Sequence, residues 1–316
     1  MESHAARAGI VILNWNGWRD TVDAVISTRT LTWPDFRVYV VDNASTDGSE
    51  TELRAWDPDL TIIQSGANLG WSGGNNVGIR AALQDGCRHV LLLNNDASIR
   101  PDALTHLMQA AECLPDAAAL GALIVNIRNA DWVEYGGADV DPRTHMPRQH
   151  YGTRADLALP ENPVPAVMVK GCAMLLMAAG LAKIGLLTED YFLNFDEADW
   201  CYRANAAGLR HYLIPQSVVE HKGAVSFNGI DGPLYCYFIT RNRLVFARRH
   251  LDRQGRRFAW RSAMWELRRA FGGAGSKKIR LPMAAAVVLA VFDYCRGRLG
   301  DCPQVIRLWN YTARSA

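Results

Sequence analysis

Short apolar runs recur along the first third of the chain, and each ends abruptly in polar residues. Residues 10–13 (IVIL) run into Asn14, Trp15, Asn16 and Gly17. Residues 36–41 stop at DNASTDGSE (42–50), residues 60–64 lead to NLGWSGGNNVG (68–78), and residues 90–93 (VLLL) meet Asn94, Asn95 and Asp96. A run such as VLLL, apolar at every position, fits a strand buried on both faces of a sheet, because a half-exposed strand would alternate. Between the runs lie helical stretches: residues 18–31, a segment ending near 56 that Ser45, Thr46 or Asp47 can cap, and one ending near 83 after a glycine- and asparagine-rich loop. Strands alternating with helices, with polar loops at successive strand ends, predict an α/β fold: a mostly parallel sheet flanked by helices, with a binding cleft along the carboxyl edge of the strands.

Farther on, the pattern predicts a helix over 101–113 and strands over 120–126, 132–135, 167–177 and 209–214. Residues 141–165, rich in Pro, His and Arg, read as a loop over the cleft. From about 231 the chain turns helical and basic, which divides it into residues 1–230, carrying the cleft, and a helical extension over 231–316. Residues 1–240 hold 17 Lys and Arg against 28 Asp and Glu, whereas residues 241–316 hold 17 against 4. Arginines interleaved with aromatic residues, as in RRFAWRSAMWELRRAF, suit peripheral contact with an anionic membrane or a lipid-phosphate acceptor, and equally suit ion pairing with the acidic first part. No nucleic-acid motif accompanies the charge, so nucleic acid is not expected as a partner.

Near-half apolar content and 316 residues give an ordinary globular core. Seven scattered cysteines without a CxxC pair suggest neither a disulfide framework nor a zinc site, and fit a reducing cytoplasm. The start shows no secretory signal, and the longest apolar run, 281–292, is too short to span a bilayer.

The candidate chemistry sits at the strand ends. Asp96, flanked by Asn94 and Asn95, offers one carboxylate and neighbouring oxygens, which suits Mg²⁺ or Mn²⁺ shared with phosphate; the triplet also suits a simple turn. Asp42 can accept hydrogen bonds from a base or ribose, or cap a turn. Asn68, Gly70 and Asn75 lie where backbone could approach a ligand. Asp196, Glu197 and Asp199 fall at a predicted helix start, where the helix dipole favours carboxylates. There, one of Asp196 and Glu197 is read as an N-cap while the other projects into the cleft as a general base. Asp199 and Arg203, four apart, are expected to pair as scaffold. A dinucleotide fingerprint after the first strand is missing, which removes a nicotinamide oxidoreductase.

Taken together, VILNWNG, VVDNASTDGS, NLGWSGGNNVG and LLLNNDASIRPD, in this order and spacing, resemble the nucleotide-sugar half of family 2 glycosyltransferases, especially the rhamnosyltransferase-like branch. The resemblance implies a GT-A fold, a nucleoside-diphosphate sugar donor (dTDP-rhamnose or a UDP-sugar), Mg²⁺ or Mn²⁺, and inversion at the anomeric carbon. It places Asn14 and Asp42 at the base, Asn68 in the nucleotide pocket with Asn43, Gly70, Asn75 and Asn95, Asn94 at the ribose, and Asp96 at the metal. His221 is placed at the metal or diphosphate. YFLNFDEADWCYR is similar to the family's Glu-Asp motif with the order exchanged, which makes Glu197 the expected base and keeps Asp196 as the alternative. The acceptor would be a glycan, a lipid-linked saccharide or a natural product. A nucleotidyltransferase and a non-catalytic sugar-nucleotide binding protein are the competing readings.

Overall fold

The computed structural model describes residues 7–223, 232–272 and 277–314. The chain opens with β1 (Ala8–Asn14), α1 (Trp18–Thr28), β2 (Phe36–Asp42), α2 (Ser49–Trp56), β3 (Ile62–Gln64), α3 (Gly70–Gln84) and β4 (His89–Asn94). These strands pair in parallel in the order β3, β2, β1, β4. The runs of β1 and β4 are buried on both faces apart from half-buried Leu13, as the unbroken hydrophobicity of IVIL and VLLL requires, whereas Ile62 and Ile63 of the outer strand β3 are half-buried.

β5 (Ala97–Ile99), α4 (Ala103–Cys113), β6 (Ala117–Asn126) and β7 (Asn129–Tyr135) follow. β8 (Ala138–Val140) and β9 (Pro147–Gln149) form a separate hairpin. The chain then runs through β10 (Gly152–Thr153), α5 (Arg154–Leu157), β11 (Val164–Ala166), β12 (Ala173–Met177), α6 (Ala178–Ile184), α7 (Asp196–Ala206) and β13 (Arg210–His221). β12 is antiparallel to both β4 and β6 and so extends the parallel half into a mixed sheet. The predicted strand 209–214 is the first half of a longer one, β13, which continues past an irregularity between Ile214 and Val218 to His221.

Three expectations are corrected. The motif NLGWSGGNNVG is mostly helix: α3 begins at Gly70, and its Gly74 and Gly78 face the sheet. A Cβ on Gly74 would strike Leu13 and one on Gly78 would strike Val11, so the helix lies closer to β1 than any larger residue allows. The glycines signal close packing rather than a loop. Residues 141–165 are not one loop but short strands and a helical turn, because β10 pairs with the edge of β7 and β11 with β13. The predicted strand 167–177 shortens to β12, leaving Lys170, Gly171 and Cys172 in irregular chain before it.

The helical C-terminal region comprises α8 (Pro233–His250), α9 (Arg253–Gly272), α10 (Lys277–Arg296) and α11 (Gln304–Arg314). α8 joins two cores. Leu244, Val245 and Phe246 sit in the core under the sheet, while Cys236, Tyr237 and Phe238 pack with Met283, Val287 and Ala290 of α10.

Gly78→Ala is expected to destabilise the fold by about 1–3 kcal/mol, the usual cost of overpacking. The urea midpoint should fall at unchanged slope; an unchanged midpoint would mean that α3 can move off β1.

Candidate active site

Strand register decides what meets at the end of the sheet. β5 pairs with the end of β13 so that His221 stands opposite Ala97, and this brings His221 Nε2 to 3.3 Å from Asp96 Oδ1. β13 also runs along β6, where His221 is opposite Asn126; β6 turns back into β7, which carries Glu134. The Glu134 carboxylate lies 2.7 Å from His221 Nδ1, and Asn126 Nδ2 donates to its other oxygen at 2.9 Å. One imidazole is therefore held between two carboxylates. Burial opposes charge on the ring, but Cys172, Asp96 and Glu134 together raise its pKa well above the usual value. At Glu134 burial works the other way, yet the bonds from His221 and Asn126 hold its pKa below the ordinary range.

These three residues line a cavity of about 530 Å³ together with Asn94, Lys170, Asp196 and Glu197. The acidic pair comes from the start of α7. Phe195, in the left-handed region at φ 72°, is the N-cap residue, and no side chain caps the helix; neither carboxylate has the capping role expected of one of them, and both face the cavity. Asp196 is buried, accepts a hydrogen bond from Ser72 Oγ at 2.6 Å on one oxygen, and has no partner on the other. Burial and the neighbouring Glu197 raise its pKa to about 7. Glu197 is less enclosed. Burial raises its pKa too, against the opposing pull of backbone hydrogen bonds and the Lys170 ammonium. Asp199 is scaffold: Thr188, Tyr191, Arg203 and His250 all bond to it. Despite burial, those bonds and the charges of His250 and Arg203 hold its pKa far below the usual carboxylate value.

The approach to α7 is strained. Phe192, Asn194 and Phe195 all have positive φ, at 65°, 67° and 72°, a conformation that costs about 1–3 kcal/mol per non-glycine residue. α8 holds it in place. Asn242 Nδ2 reaches the carbonyls of Tyr191, Leu193 and Asn194 at 2.9, 2.7 and 3.1 Å, and Arg241 Nη2 reaches that of Tyr191 at 3.0 Å. Both side chains are fully buried. Trp71 completes the wall: its Nε1 donates to Asn94 Oδ1 at 3.3 Å, and a Cβ on Gly171 would come within 2.6 Å of the indole.

A second cavity of about 140 Å³ shares Trp71, Asn94 and Leu193 with the first and is lined by Asn43, Asn68, Gly70, Asn95, Trp15 and Arg307. Five of the residues assigned to the nucleotide thus gather there. The other three do not line it. Asn14 is fully buried, donating to Asp42 Oδ1 at 2.7 Å and accepting from Thr21 Oγ1 at 2.8 Å. Asp42 takes hydrogen bonds from Asn14, Ser45 and Gln64. Asn75 is buried and donates to the Trp71 carbonyl at 2.8 Å. Asn43 braces the turn into α3, donating to Asn68 Oδ1 and accepting from Leu69 N.

Sequence reasoning did not single out Glu134, Ser72, Trp71, Lys170, Arg241 or Asn242. Trp71 and Ser72 lie within the quoted motif NLGWSGGNNVG, whereas Glu134 has no local signal.

Asp96 and His221 would fit a divalent cation once the imidazole gives up the proton it shares with Asp96: they set an oxygen and a nitrogen donor side by side, with the ring's other nitrogen fixed by a carboxylate, as metal-bound histidines usually are. Among the described residues no cluster of three or more His, Cys, Asp or Glu could hold a metal by itself, so the remaining positions would fall to phosphate oxygens and water.

The model of the glycosyl transferase family 2 matches residues 10–178. The chain belongs to that family. The low-salt glycan biosynthesis hexosyltransferase Agl10 of Haloferax volcanii is 28% identical over 65% of this chain and 65% of its own length. The N-acetylglucosaminyl-diphospho-decaprenol L-rhamnosyltransferase of Mycobacterium tuberculosis is 27% identical over 60% of this chain and 67% of its own. The mannosyltransferase of Pyrobaculum calidifontis, solved with GDP-Man and Mn²⁺, superposes over 93% of this chain and 88% of its own with a TM-score of 0.57 at 15% identity. The fold is accordingly of the GT-A type, and the chain spans about two thirds of the length of the curated relatives it matches.

Asn242→Ala would strip three carbonyls of one donor and is expected to cost about 1–3 kcal/mol. Sugar transfer should fall further than that loss explains, because the Phe192–Phe195 conformation is released; full turnover in the folded variant would show that the loop holds itself.

Proposed function

We propose that the chain is an inverting glycosyltransferase that moves a deoxyhexose, L-rhamnose for preference, from a nucleoside-diphosphate donor to a hydroxyl on a lipid-linked saccharide or other glycan. The observation that carries this reading is one cavity faced by both Asp96 with His221 and the acidic pair Asp196 and Glu197. The nucleoside of the donor, of dTDP or UDP, enters at the smaller cavity between Asn43, Asn68 and Asn95, with the diphosphate and sugar passing Trp71 and Asn94 into the larger one. Asn14 and Asp42 serve that pocket indirectly, by fixing the strand ends beneath it.

Asp96 and a deprotonated His221 would hold Mg²⁺ or Mn²⁺, which would supply positive charge to the departing diphosphate. Glu134 keeps the imidazole oriented and Asn126 keeps Glu134 in place. Glu197 takes the proton of the acceptor hydroxyl as its oxygen attacks the anomeric carbon from the face opposite the diphosphate. Its enclosure and raised proton affinity suit a base. Asp196 is less suited, since one of its oxygens is engaged by Ser72 and the residue is almost wholly shielded. Its negative charge at higher pH raises the proton affinity of Glu197 in turn.

Glu197→Gln should retain donor affinity and lower transfer roughly 100- to 10,000-fold, the usual worth of a general base. Undiminished turnover would pass the role to Asp196. The pH profile follows from the sign of the shift. A base must be unprotonated, so kcat/KM should rise with pH through a midpoint above the ordinary glutamate value of about 4.3; a midpoint at or below that value contradicts an enclosed base. Chelation with EDTA should abolish transfer and added Mn²⁺ or Mg²⁺ restore it, whereas full activity in chelator would remove Asp96 and His221 from the metal role.

A further inference from the structure

The outward faces of α9 and α10 are built the wrong way round for a helix pair in water. On α9 the exposed positions recur every three or four residues, and they alternate between Trp260, Met264 and Trp265 on the one hand and Arg257, Arg261 and Arg268 on the other. Trp265 is 58% exposed. On α10 the exposed line is Leu281, Val288 and Phe292, spaced seven and four residues apart, with Leu281 61% exposed. A surface helix normally turns its apolar stripe inward and its polar side out. Here α10 buries Met283, Val287 and Ala290 and still exposes apolar residues. The two faces adjoin, since Trp260 packs edge-on against Tyr294 of α10 at 5.8 Å.

Charge identifies what covers this surface. Within 253–296 the only acidic residues are Glu266 and Asp293, and both are buried, Glu266 paired with Arg269 and Asp293 accepting from Tyr237. The exposed face therefore presents tryptophan, aliphatic groups and arginine with no carboxylate among them. A two-fold contact between copies of the chain would set arginines against arginines. A lipid surface meets both demands, because indole and aliphatic groups enter the headgroup boundary while guanidinium groups stay at the phosphates. No helix of the described residues is long and apolar enough to cross a membrane, so the contact is with a bilayer's surface.

We propose that α9 and α10 form a docking face for an anionic lipid bilayer. It stands apart from the sugar-transfer reading, since vesicle binding needs neither donor nor metal.

The test is flotation of the full chain with phosphatidylglycerol vesicles and with pure phosphatidylcholine vesicles, at low and high salt. Binding to the anionic vesicles alone, weakened by salt, is expected. Replacing Arg257, Arg261 and Arg268 by Ala should weaken it roughly 100-fold, which corresponds to about 1 kcal/mol per arginine. Trp265→Ser with Phe292→Ser should weaken it roughly tenfold or more at unchanged charge. All five positions are exposed, and circular dichroism confirms that the variants fold. No affinity for anionic vesicles, or affinity that survives both sets of substitutions, overturns the proposal. So does sedimentation showing a dimer that the serine substitutions dissociate, which would give the face to a second copy. Transfer to a soluble acceptor, measured without lipid, reports separately on the catalytic reading.

Discussion

A single imidazole suspended between two carboxylates ties this site together. His221 joins the loop after β4, through Asp96, to β7, through Glu134, and it can do so only because β13 reaches both β5 and β6. A buried ion pair is costly to assemble and costlier to break, since removing one partner strands the other charge away from water. The arrangement is thus weak evidence for stability and better evidence for a functional site. Among the described residues Asp96 is the carboxylate that the NND triplet contributes, and the cavity around it offers further oxygen and nitrogen donors rather than a closed cage.

Across the cavity the acidic pair is placed by a different device. The chain enters α7 through three non-glycine residues with positive φ, and the conformation persists because buried Arg241 and Asn242 of α8 take up the carbonyls that such a path leaves unpaired. The C-terminal helices therefore contribute to the site from the inside, through two polar side chains in an otherwise apolar helix face, while their outer faces carry arginine and tryptophan. Both roles fall after residue 231, and α8 itself contributes to the core beneath the sheet and to the core it shares with α10.

How much of this was legible in the chain depends on the range of the interaction. Strand ends were legible because burial on both faces leaves an unbroken apolar run, and the change to Asn or Asp marks where the strand meets solvent: Asn14, Asp42 and Asn94 are each the last residue of their strand. The Asp199 to Arg203 pairing was legible because it spans one helical turn. Glu134 was not, since nothing near it in sequence shows that β7 folds back beside His221. Gly74 and Gly78 were misread as loop residues because glycine signals a turn and a close helix contact alike, and only the neighbouring Leu13 and Val11 distinguish them. The role of Asn14 shifts for a similar reason: its position at a strand end was visible, but the partners that occupy its amide, Asp42 and Thr21, are not.

The most direct measurement is a crystal structure with a nucleoside-diphosphate sugar and Mn²⁺ bound. The account predicts the nucleoside against Asn43, Asn68 and Asn95, the diphosphate at Asp96 and His221, and the Glu197 carboxylate on the face of the sugar opposite the diphosphate. A donor bound outside these cavities, or a sugar whose diphosphate lies on the same side as Glu197, would contradict it.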